Sequence, residues 1–239
     1  VIVLVVALAA IITPPDPGSQ LLLAIPLLIL FEGSLVLMRL TEKRRKAERE
    51  IEAAGGKALP IKVDIRDEEV VQAAVDKAVE TFGGIDILIN NAGFWLGKDE
   101  HYGRCDDARW MEEFRVHMFG TMAMCESFVQ QVAASKRKLI VNISSGNGSL
   151  ALENGIGDYP YNTSKAGLNL ITKGLAADLK QRGITVVCFT PGFVATDMSG
   201  PDADLTPHES VSAMRAIIDT LGPEQTGTFL RYNGETVPW

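Results

Sequence analysis

Runs of apolar residues alternate with amphipathic segments along most of the chain, with short polar or glycine-containing breaks between them. Short apolar strands that alternate with helices are typical of βαβ units, whose strands lie parallel. The pattern predicts an α/β fold: a single doubly wound domain over residues 1–239, with about seven parallel strands and helices on both faces of the sheet.

The boundaries follow from the same pattern. Strands are predicted at Ala58–Val63, Ile85–Asn90, Leu139–Ser144, Ile184–Phe189 and Thr228–Tyr232. Helices are predicted at Thr41–Ala54, from Asp67 to Gly83-Gly84, and at Trp110–Ala134, Tyr161–Gln181 and Pro207–Leu221.

The first forty residues have two interpretations. Val1–Ile12 and Leu21–Leu40 are apolar, and Lys43–Lys46 is basic, which resembles a membrane anchor with a positive flank. The uninterrupted part of the second run is short enough for a core helix, and Glu32 would lie near the middle of a bilayer. We favour a diverged first β-α-β unit in residues 1–40, with a membrane anchor as the alternative.

Charge and cysteine content narrow the range of partners. The net charge of −7 opposes binding to nucleic acid, which needs clustered Lys and Arg. Three widely spaced cysteines give neither a disulfide framework nor a metal-ligand spacing. We therefore expect the protein to work in a reducing compartment, the cytoplasm, and to have no metal site.

Candidate chemistry lies where the predicted strands end. Asn90-Asn91-Ala92-Gly93, Ser144-Ser145-Gly146 and Pro191-Gly192 each follow a strand, and ligands of open parallel sheets bind at that edge. Tyr161 and Lys165 are four residues apart and share one face of a helix. An ammonium stabilises a phenolate, so this pair is suited to proton transfer near neutral pH.

These motifs, in this order, resemble the short-chain dehydrogenase/reductase superfamily over essentially the whole chain. Residues 206–211 and 232–239 resemble its sniffer and C-factor carbonyl reductases, and residues 47–93 resemble its hydroxysteroid dehydrogenase-like members. The resemblance implies a Rossmann fold and hydride transfer between NAD(P)(H) and a ketone, aldehyde or alcohol. Tyr161 would be the general acid or base, Lys165 would lower its pKa and bind the nicotinamide ribose, and Ser145 would hold the substrate oxygen, with Ser144 as the competing assignment.

The resemblance also implies the cofactor contacts. Asn91, Ala92 and Gly93 would line the adenosine side, Asp64 the adenine edge, and the carboxamide end would be lined by Pro191, Gly192, Val194 and Thr196. Arg39 ends the predicted second strand where no acid stands, which favours NADP(H) over NAD(H).

Two departures from the family pattern affect these expectations. The glycine-rich phosphate turn corresponds to residues 13–20, where only Thr13 and Gly18 match, and Pro14 removes a backbone donor. A catalytically silent binding or regulatory relative is therefore an alternative function, beside a membrane-anchored reductase. The second departure is His117, where the family usually has Asn. Its imidazole either holds a water of the proton relay or is a buried side chain whose hydrogen bonds are satisfied by the protein.

Apolar side chains near the motifs favour a bulky carbonyl or alcohol substrate. They are Phe94, Trp95, Leu150, Leu152, Tyr159, Phe193 and Met198. The resemblance further implies a homodimer or homotetramer, formed through the Trp110–Ala134 and Tyr161–Gln181 helices.

Overall fold

The computed structural model describes residues 49–97, 100–152 and 157–239. Its strands are β1 (Ile87–Asn90), β2 (Leu139–Ile143), β3 (Thr185–Thr190) and β4 (Phe229–Arg231). Its helices are α1 (Glu68–Phe82), α2 (Asp107–Phe114), α3 (Thr121–Ala134), α4 (Tyr159–Asp178) and α5 (Pro207–Ile218). A π-helix, Arg115–Gly120, joins α2 to α3, and 3₁₀ turns occupy Gly146–Gly148, Lys180–Arg182 and Pro223–Gln225.

The chain divides into two compact units, residues 1–61 and 62–239. In the described part of the first unit, residues 49–53 are helical. That helix closes where the Gly56 N–H donates to the Ile51 carbonyl at 2.9 Å. The preceding glycine, Gly55, has φ +82, a conformation that suits the end of a helix.

The described strands form one parallel sheet in the order β1-β2-β3-β4. Leu88 pairs with Ile140, Val141 with Val187, and Phe189 with Leu230. Each of β1, β2 and β3 is followed by a helical segment that leads to the next strand, which is the connection parallel strands require. The predicted α/β fold is confirmed in this part of the chain.

Alternate residues of the central strands pack on opposite faces of the sheet. On one face Ile140 and Val186 join buried residues of α1, α3 and α4. On the other face Val141, Val187 and Phe189 pack against Met214 and Ile218 of α5 and against Leu221. Period-two alternation in strands produces this division, and helices therefore cover both faces, as the sequence predicts.

Local sequence explains where α1 begins and ends. The Asp67 carboxylate accepts hydrogen bonds from the backbone N–H groups of Glu69 and Val70, which have no partner inside the helix. Gly83 ends the helix in the left-handed conformation, and its N–H donates to the carbonyl of Val79. The boundaries predicted for this helix are confirmed.

The strand predicted at residues 58–63 is wrong, since the structure assigns no strand there. Pro60 has no N–H to donate to a ladder, and Ile61 is 37% exposed rather than buried between two helix layers. The two predicted strands within residues 1–40 lie outside the described residues.

No helix within residues 49–97, 100–152 and 157–239 combines the length and apolarity needed to cross a membrane. The two apolar runs that raised the question of an anchor, Val1–Ile12 and Leu21–Leu40, lie outside those ranges.

The turn after β2 packs tightly on α4 at Gly148. A Cβ at this position would lie 2.7 Å from the Lys165 carbonyl carbon and 3.0 Å from the Ala166 nitrogen. Because both are backbone atoms of a helix, we expect Gly148→Ala to lower the free energy of unfolding by about 1–3 kcal/mol in urea denaturation.

A glycine-to-alanine substitution within α4 itself should have the opposite effect on the free energy of unfolding. Gly174 lies within α4 with open space around its Cβ position, so Gly174→Ala should raise the free energy of unfolding by about 0.5–1 kcal/mol. If Gly148→Ala unfolds at the same urea concentration as the parent protein, that result would contradict the close packing of this turn on α4.

Candidate active site

The carboxyl ends of β1, β2 and β3 form the floor of the candidate site. The Ser144 N–H donates to the Phe189 carbonyl at 2.7 Å, and the Gly146 N–H donates to the Thr190 hydroxyl at 3.0 Å. These bonds fix the turn that carries Ser145 against the end of β3. Parallel strands end at the same edge, so the three motif segments are neighbours here, as the sequence predicts.

Tyr161 and Ser145 meet above this floor. Burial raises the pKa of the Tyr161 phenol above its usual value, a hydrogen bond with Ser145 opposes that rise, and the charge of Glu113 adds to it. The Ser145 oxygen accepts the Asn147 N–H at 3.2 Å, which leaves the hydroxyl proton available for donation. At neutral pH the phenol is therefore protonated and is positioned to donate.

Lys165 lies one helical turn beyond Tyr161 and is only 5% exposed. Its Nζ donates to the carbonyl of Ile143 at the end of β2, at 3.2 Å, and lies 5.7 Å from the centroid of the Tyr161 ring. Burial lowers the pKa of Lys165 to about 8. The lowering of the Tyr161 pKa that the sequence leads us to expect from Lys165 is not observed: burial raises that pKa, and the opposing effect comes from the hydrogen bond with Ser145.

The two serines after β2 differ in their surroundings. Ser144 is 3% exposed, and its hydroxyl donates to the Lys165 backbone carbonyl at 3.4 Å. Ser145 is more accessible and hydrogen-bonds Tyr161. The geometry favours Ser145 over Ser144 as the group that contacts a substrate oxygen.

His117 lies in the π-helix and is fully buried. Its Nε2 accepts the Phe94 N–H at 3.1 Å, and its Nδ1 lies 2.8 Å from the Ser164 hydroxyl, which donates to the Tyr161 carbonyl at 2.7 Å. An acceptor at Nε2 places the ring proton on Nδ1, so the histidine is neutral. Both ring nitrogens have protein partners, which favours the satisfied buried side chain over the water-holding role.

Burial lowers the pKa of His117 to about 3, and the nearby Lys165 charge acts in the same direction. Protonation would place a second cation beside that ammonium and would break the bond from Phe94. His117 therefore supports the site as a fixed neutral ring.

Gly93 lies against both side chains. A Cβ at this position would be 3.0 Å from Nε2 of His117 and 3.5 Å from Nζ of Lys165. The glycine lets the backbone approach closely enough for the next residue, Phe94, to bond the imidazole. Gly93 is thus a predicted cofactor residue that lies directly beside Lys165.

The other predicted cofactor residues lie in three places. Thr13, Gly18 and Arg39 are outside the described residues. Asn91 and Ala92 are exposed directly after β1. Pro191, Gly192, Val194 and Thr196 lie in the loop after β3, which is closed by bridges of Val194 to Leu205 and of Thr196 to Gly200.

The Asp64 carboxylate is held by the nearby side chain of Arg66. Its carboxylate accepts two hydrogen bonds from the Arg66 guanidinium, at 2.8 and 2.6 Å, and Arg66 also pairs with Glu112. These hydrogen bonds lower the pKa of Asp64 to about 2. In the described part of the chain, the hydrogen bonds of the Asp64 carboxylate are with Arg66 and not with Tyr161 or Lys165.

Sequence reasoning missed Glu113, a fully buried glutamate on α2. Its Oε1 accepts the Leu96 N–H at 2.7 Å. Burial raises its pKa, and the charges of Glu100, Lys165 and Asp158 also act on it. Spacing was the available signal, because Glu113 stands four residues before His117 and so shares its helix face.

Comparisons with known proteins agree with this arrangement. A family model described as short chain dehydrogenase matches residues 27–205. The C-signal protein of Myxococcus xanthus is 36% identical over 160 residues, which are 66% of this chain and 94% of that protein. The chain belongs to the short-chain dehydrogenase family.

Solved structures of the short-chain dehydrogenase family have the same fold. The carbonyl reductase Sniffer of D. melanogaster has a TM-score of 0.71 and 27% identity, covering 75% of this chain and 77% of that one. A short-chain dehydrogenase/reductase from Burkholderia multivorans, solved with bound NADP, has a TM-score of 0.68 and 28% identity, covering 80% and 81%. The predicted resemblance to the family, with its sniffer and C-factor likeness, and the Rossmann-like fold are confirmed.

Proposed function

We propose that this short-chain dehydrogenase is an NADP(H)-dependent reductase that converts a ketone or aldehyde to an alcohol, or catalyses the reverse reaction. The observation that carries the proposal is Tyr161, hydrogen-bonded to Ser145 and one helical turn from the buried ammonium of Lys165. A phenol kept protonated by burial is suited to protonate the oxygen of a carbonyl as it is reduced. The reductive direction is therefore favoured.

The three side chains have separate roles in this proposal. The Ser145 hydroxyl would donate a hydrogen bond to the substrate oxygen, without giving up its proton, and so hold the carbonyl beside the phenol. Tyr161 gives its proton to that oxygen as negative charge develops there. Lys165, with one donor on Ile143 and two more on the same nitrogen, holds the ribose hydroxyls and stabilises the phenolate that is left.

The described residues fit a nicotinamide at this edge of the sheet. A Cβ at Gly93 would fill the space against His117 and Lys165, so the glycine keeps only backbone on that side of the site. When bound, the nicotinamide supplies the hydride. Asn91, Ala92 and Asp64 would hold the adenosine side, and the loop from Pro191 to Thr196 the carboxamide.

The preference for NADP(H) rests on charge and on a relative. Arg39 and the basic residues that follow it would accept a 2′-phosphate, and no acid stands there to bind a 2′-hydroxyl. The relative from Burkholderia multivorans was solved with NADP. The altered turn at residues 13–20 would bind the pyrophosphate with fewer backbone donors, Thr13 and Gly18 being the positions that match the family.

The substrate side of the site is apolar. The Trp95 ring lies 5.6 Å from the Tyr161 ring, and Leu150 and Phe193 are 89% and 50% exposed. Leu150 and Phe193 follow the motif turns after β2 and β3, and exposed apolar side chains of this kind are available to bind a ligand. We expect a bulky apolar ketone or aldehyde as substrate.

Self-association is part of the proposal. Phe119 of the π-helix, Met122 of α3 and Leu170 of α4 are large apolar residues that are 57%, 36% and 72% exposed. They lie on the two helical segments that the family resemblance assigns to a homodimer or homotetramer interface, and covering them would remove apolar surface from water.

Calorimetric titration with NADPH and NADH tests the cofactor assignment. We expect NADPH to bind more tightly, and Arg39→Ala to weaken NADPH binding by about tenfold or more, the value of one charge-assisted hydrogen bond. NADH binding to the same variant should stay unchanged and serves as the control. Equal affinities for the two nucleotides would contradict the preference, and a folded protein that binds neither would favour the catalytically silent alternative.

A further inference from the structure

Glu113 is an unusual residue for its position. It is the one fully buried residue of α2, and apolar side chains normally fill such sites. Its Oε1 accepts the Leu96 N–H, whereas its Oε2 is buried without a hydrogen-bond partner among the residues the structure describes. A buried carboxyl with one unsatisfied oxygen lowers the stability of the fold. A role for Glu113 would therefore be sought in its hydrogen bond to Leu96.

Glu113 and His117 bind alternate residues of one short segment. Glu113 accepts the N–H of Leu96 at 2.7 Å, and His117 accepts the N–H of Phe94 at 3.1 Å. In an extended segment alternate N–H groups point to one side and are about 6.6 Å apart. Side chains four apart on a helix are separated by about 5–6 Å, so one helical face reaches both N–H groups.

The segment between those two bonds carries Trp95. Its ring lies 5.6 Å from the Tyr161 ring, and the His117 ring contacts Tyr161 edge-on at 5.8 Å. Fixing the backbone on either side of Trp95 therefore fixes the indole beside the proposed catalytic phenol. Without the bond at Leu96 the segment would lose its hydrogen bond to α2.

We propose that Glu113 is a positioning residue: with His117 it holds residues 94–96 at two points and so keeps the Trp95 ring against Tyr161 on the substrate side of the site. The part of this inference that concerns substrate rests on the proposed reductase function. The part that concerns the segment does not.

The charges around Glu113 are consistent with this role. Glu100 and Asp158 raise its pKa, Lys165 lowers it, and burial, the largest effect, raises it. A glutamate carboxyl accepts a hydrogen bond in either protonation state. Glutamine offers the same acceptor in the same shape, which gives a conservative variant.

Residue-resolved amide hydrogen exchange tests the two-point attachment without turnover. In Glu113→Met, which keeps the length of the side chain and removes both oxygens, the Leu96 amide should exchange at least about fivefold faster. Glu113→Gln should keep the slow exchange of the parent protein. The control Glu112→Met alters the adjacent, more exposed glutamate that pairs with Arg66 and should leave Leu96 unchanged.

Unchanged exchange at Leu96 in folded Glu113→Met overturns the proposal. If that variant does not fold, Glu113→Asp takes its place: the shorter side chain withdraws the acceptor from Leu96, and faster exchange is again expected. Slow exchange at Leu96 in the aspartate variant would overturn the proposal equally.

Steady-state kinetics with NADPH and 4-nitrobenzaldehyde test the substrate part. Glu113→Met should raise KM for the aldehyde about 2- to 12-fold, the loss of one aromatic contact, with kcat changed less and NADPH affinity unchanged. Glu113→Gln should restore KM. An unaltered KM beside faster exchange would overturn the link to substrate. A parent protein that turns over neither this aldehyde nor a panel of bulky apolar ketones would overturn the proposed function and leave the exchange result to decide the attachment.

Discussion

Tyr161→Phe is expected to lower kcat for NADPH-dependent carbonyl reduction by about 10²- to 10⁴-fold, the usual contribution of a positioned proton donor. The substitution removes one oxygen and keeps the ring that packs against Trp95 and His117. NADPH affinity should therefore change little. The loss of NADPH absorbance with 4-nitrobenzaldehyde measures the rate, and calorimetry measures the affinity.

The matched control for that substitution is Tyr102→Phe, because Tyr102 is 92% exposed. It removes the same oxygen from the surface and should leave kcat within about twofold of the parent value, since surface substitutions change little. A Tyr161→Phe protein that retains more than a tenth of the parent kcat would show that a different group donates the proton.

His117→Asn is expected to make the free energy of unfolding depend less steeply on pH in the acid range. His117 has its pKa lowered to about 3 by burial, against an ordinary value of 6.5. Between those values the unfolded chain binds a proton that the folded protein does not, so stability is full above pH 6.5 and falls as the pH decreases. The slope for one such group is about 1.4 kcal/mol per pH unit, approaching about 4–5 kcal/mol in total near pH 3.

Urea unfolding of both proteins at pH 7, 6, 5 and 4 measures this slope. Asparagine does not titrate, so its curve should be shallower by about 1.4 kcal/mol per pH unit between pH 6 and 4. Glu113 has its pKa raised and contributes a slope of opposite sign, but it is present in both proteins and cancels in the difference. Equal slopes would mean that His117 is protonated in the folded protein as easily as in the unfolded one.

The sequence predicts the fold well where its signals are local. Asp67 and Gly83 bound α1 because a side-chain cap and a left-handed glycine act within a few residues. The apolar runs at β2 and β3 identify strands buried on both faces. The strand predicted at residues 58–63 is wrong, because apolar composition does not reveal whether a neighbouring strand supplies hydrogen bonds, and Pro60 has no N–H to donate to one.

The residues of the candidate site likewise fall into those that local sequence signals predict and those that only tertiary contacts reveal. Tyr161, Lys165 and Ser145 were found from spacing and order along the chain, and the structure brings them together. Glu113 was missed because a single polar residue in a mostly polar helix resembles a surface residue, and only the tertiary contact with Leu96 reveals its burial. Which nitrogen of His117 carries the proton likewise depends on a residue 23 positions away.

The most direct test of the central claim is transfer of the hydride itself. NADPH carrying deuterium at C4 is incubated with the protein and 4-nitrobenzaldehyde, and the alcohol product is analysed by mass spectrometry. The account predicts one deuterium on the carbinol carbon with the parent protein and almost none with Tyr161→Phe. Tight NADPH binding without labelled alcohol, from this aldehyde or from a panel of bulky apolar ketones, would contradict a reductase and identify a protein that binds the nucleotide without using it.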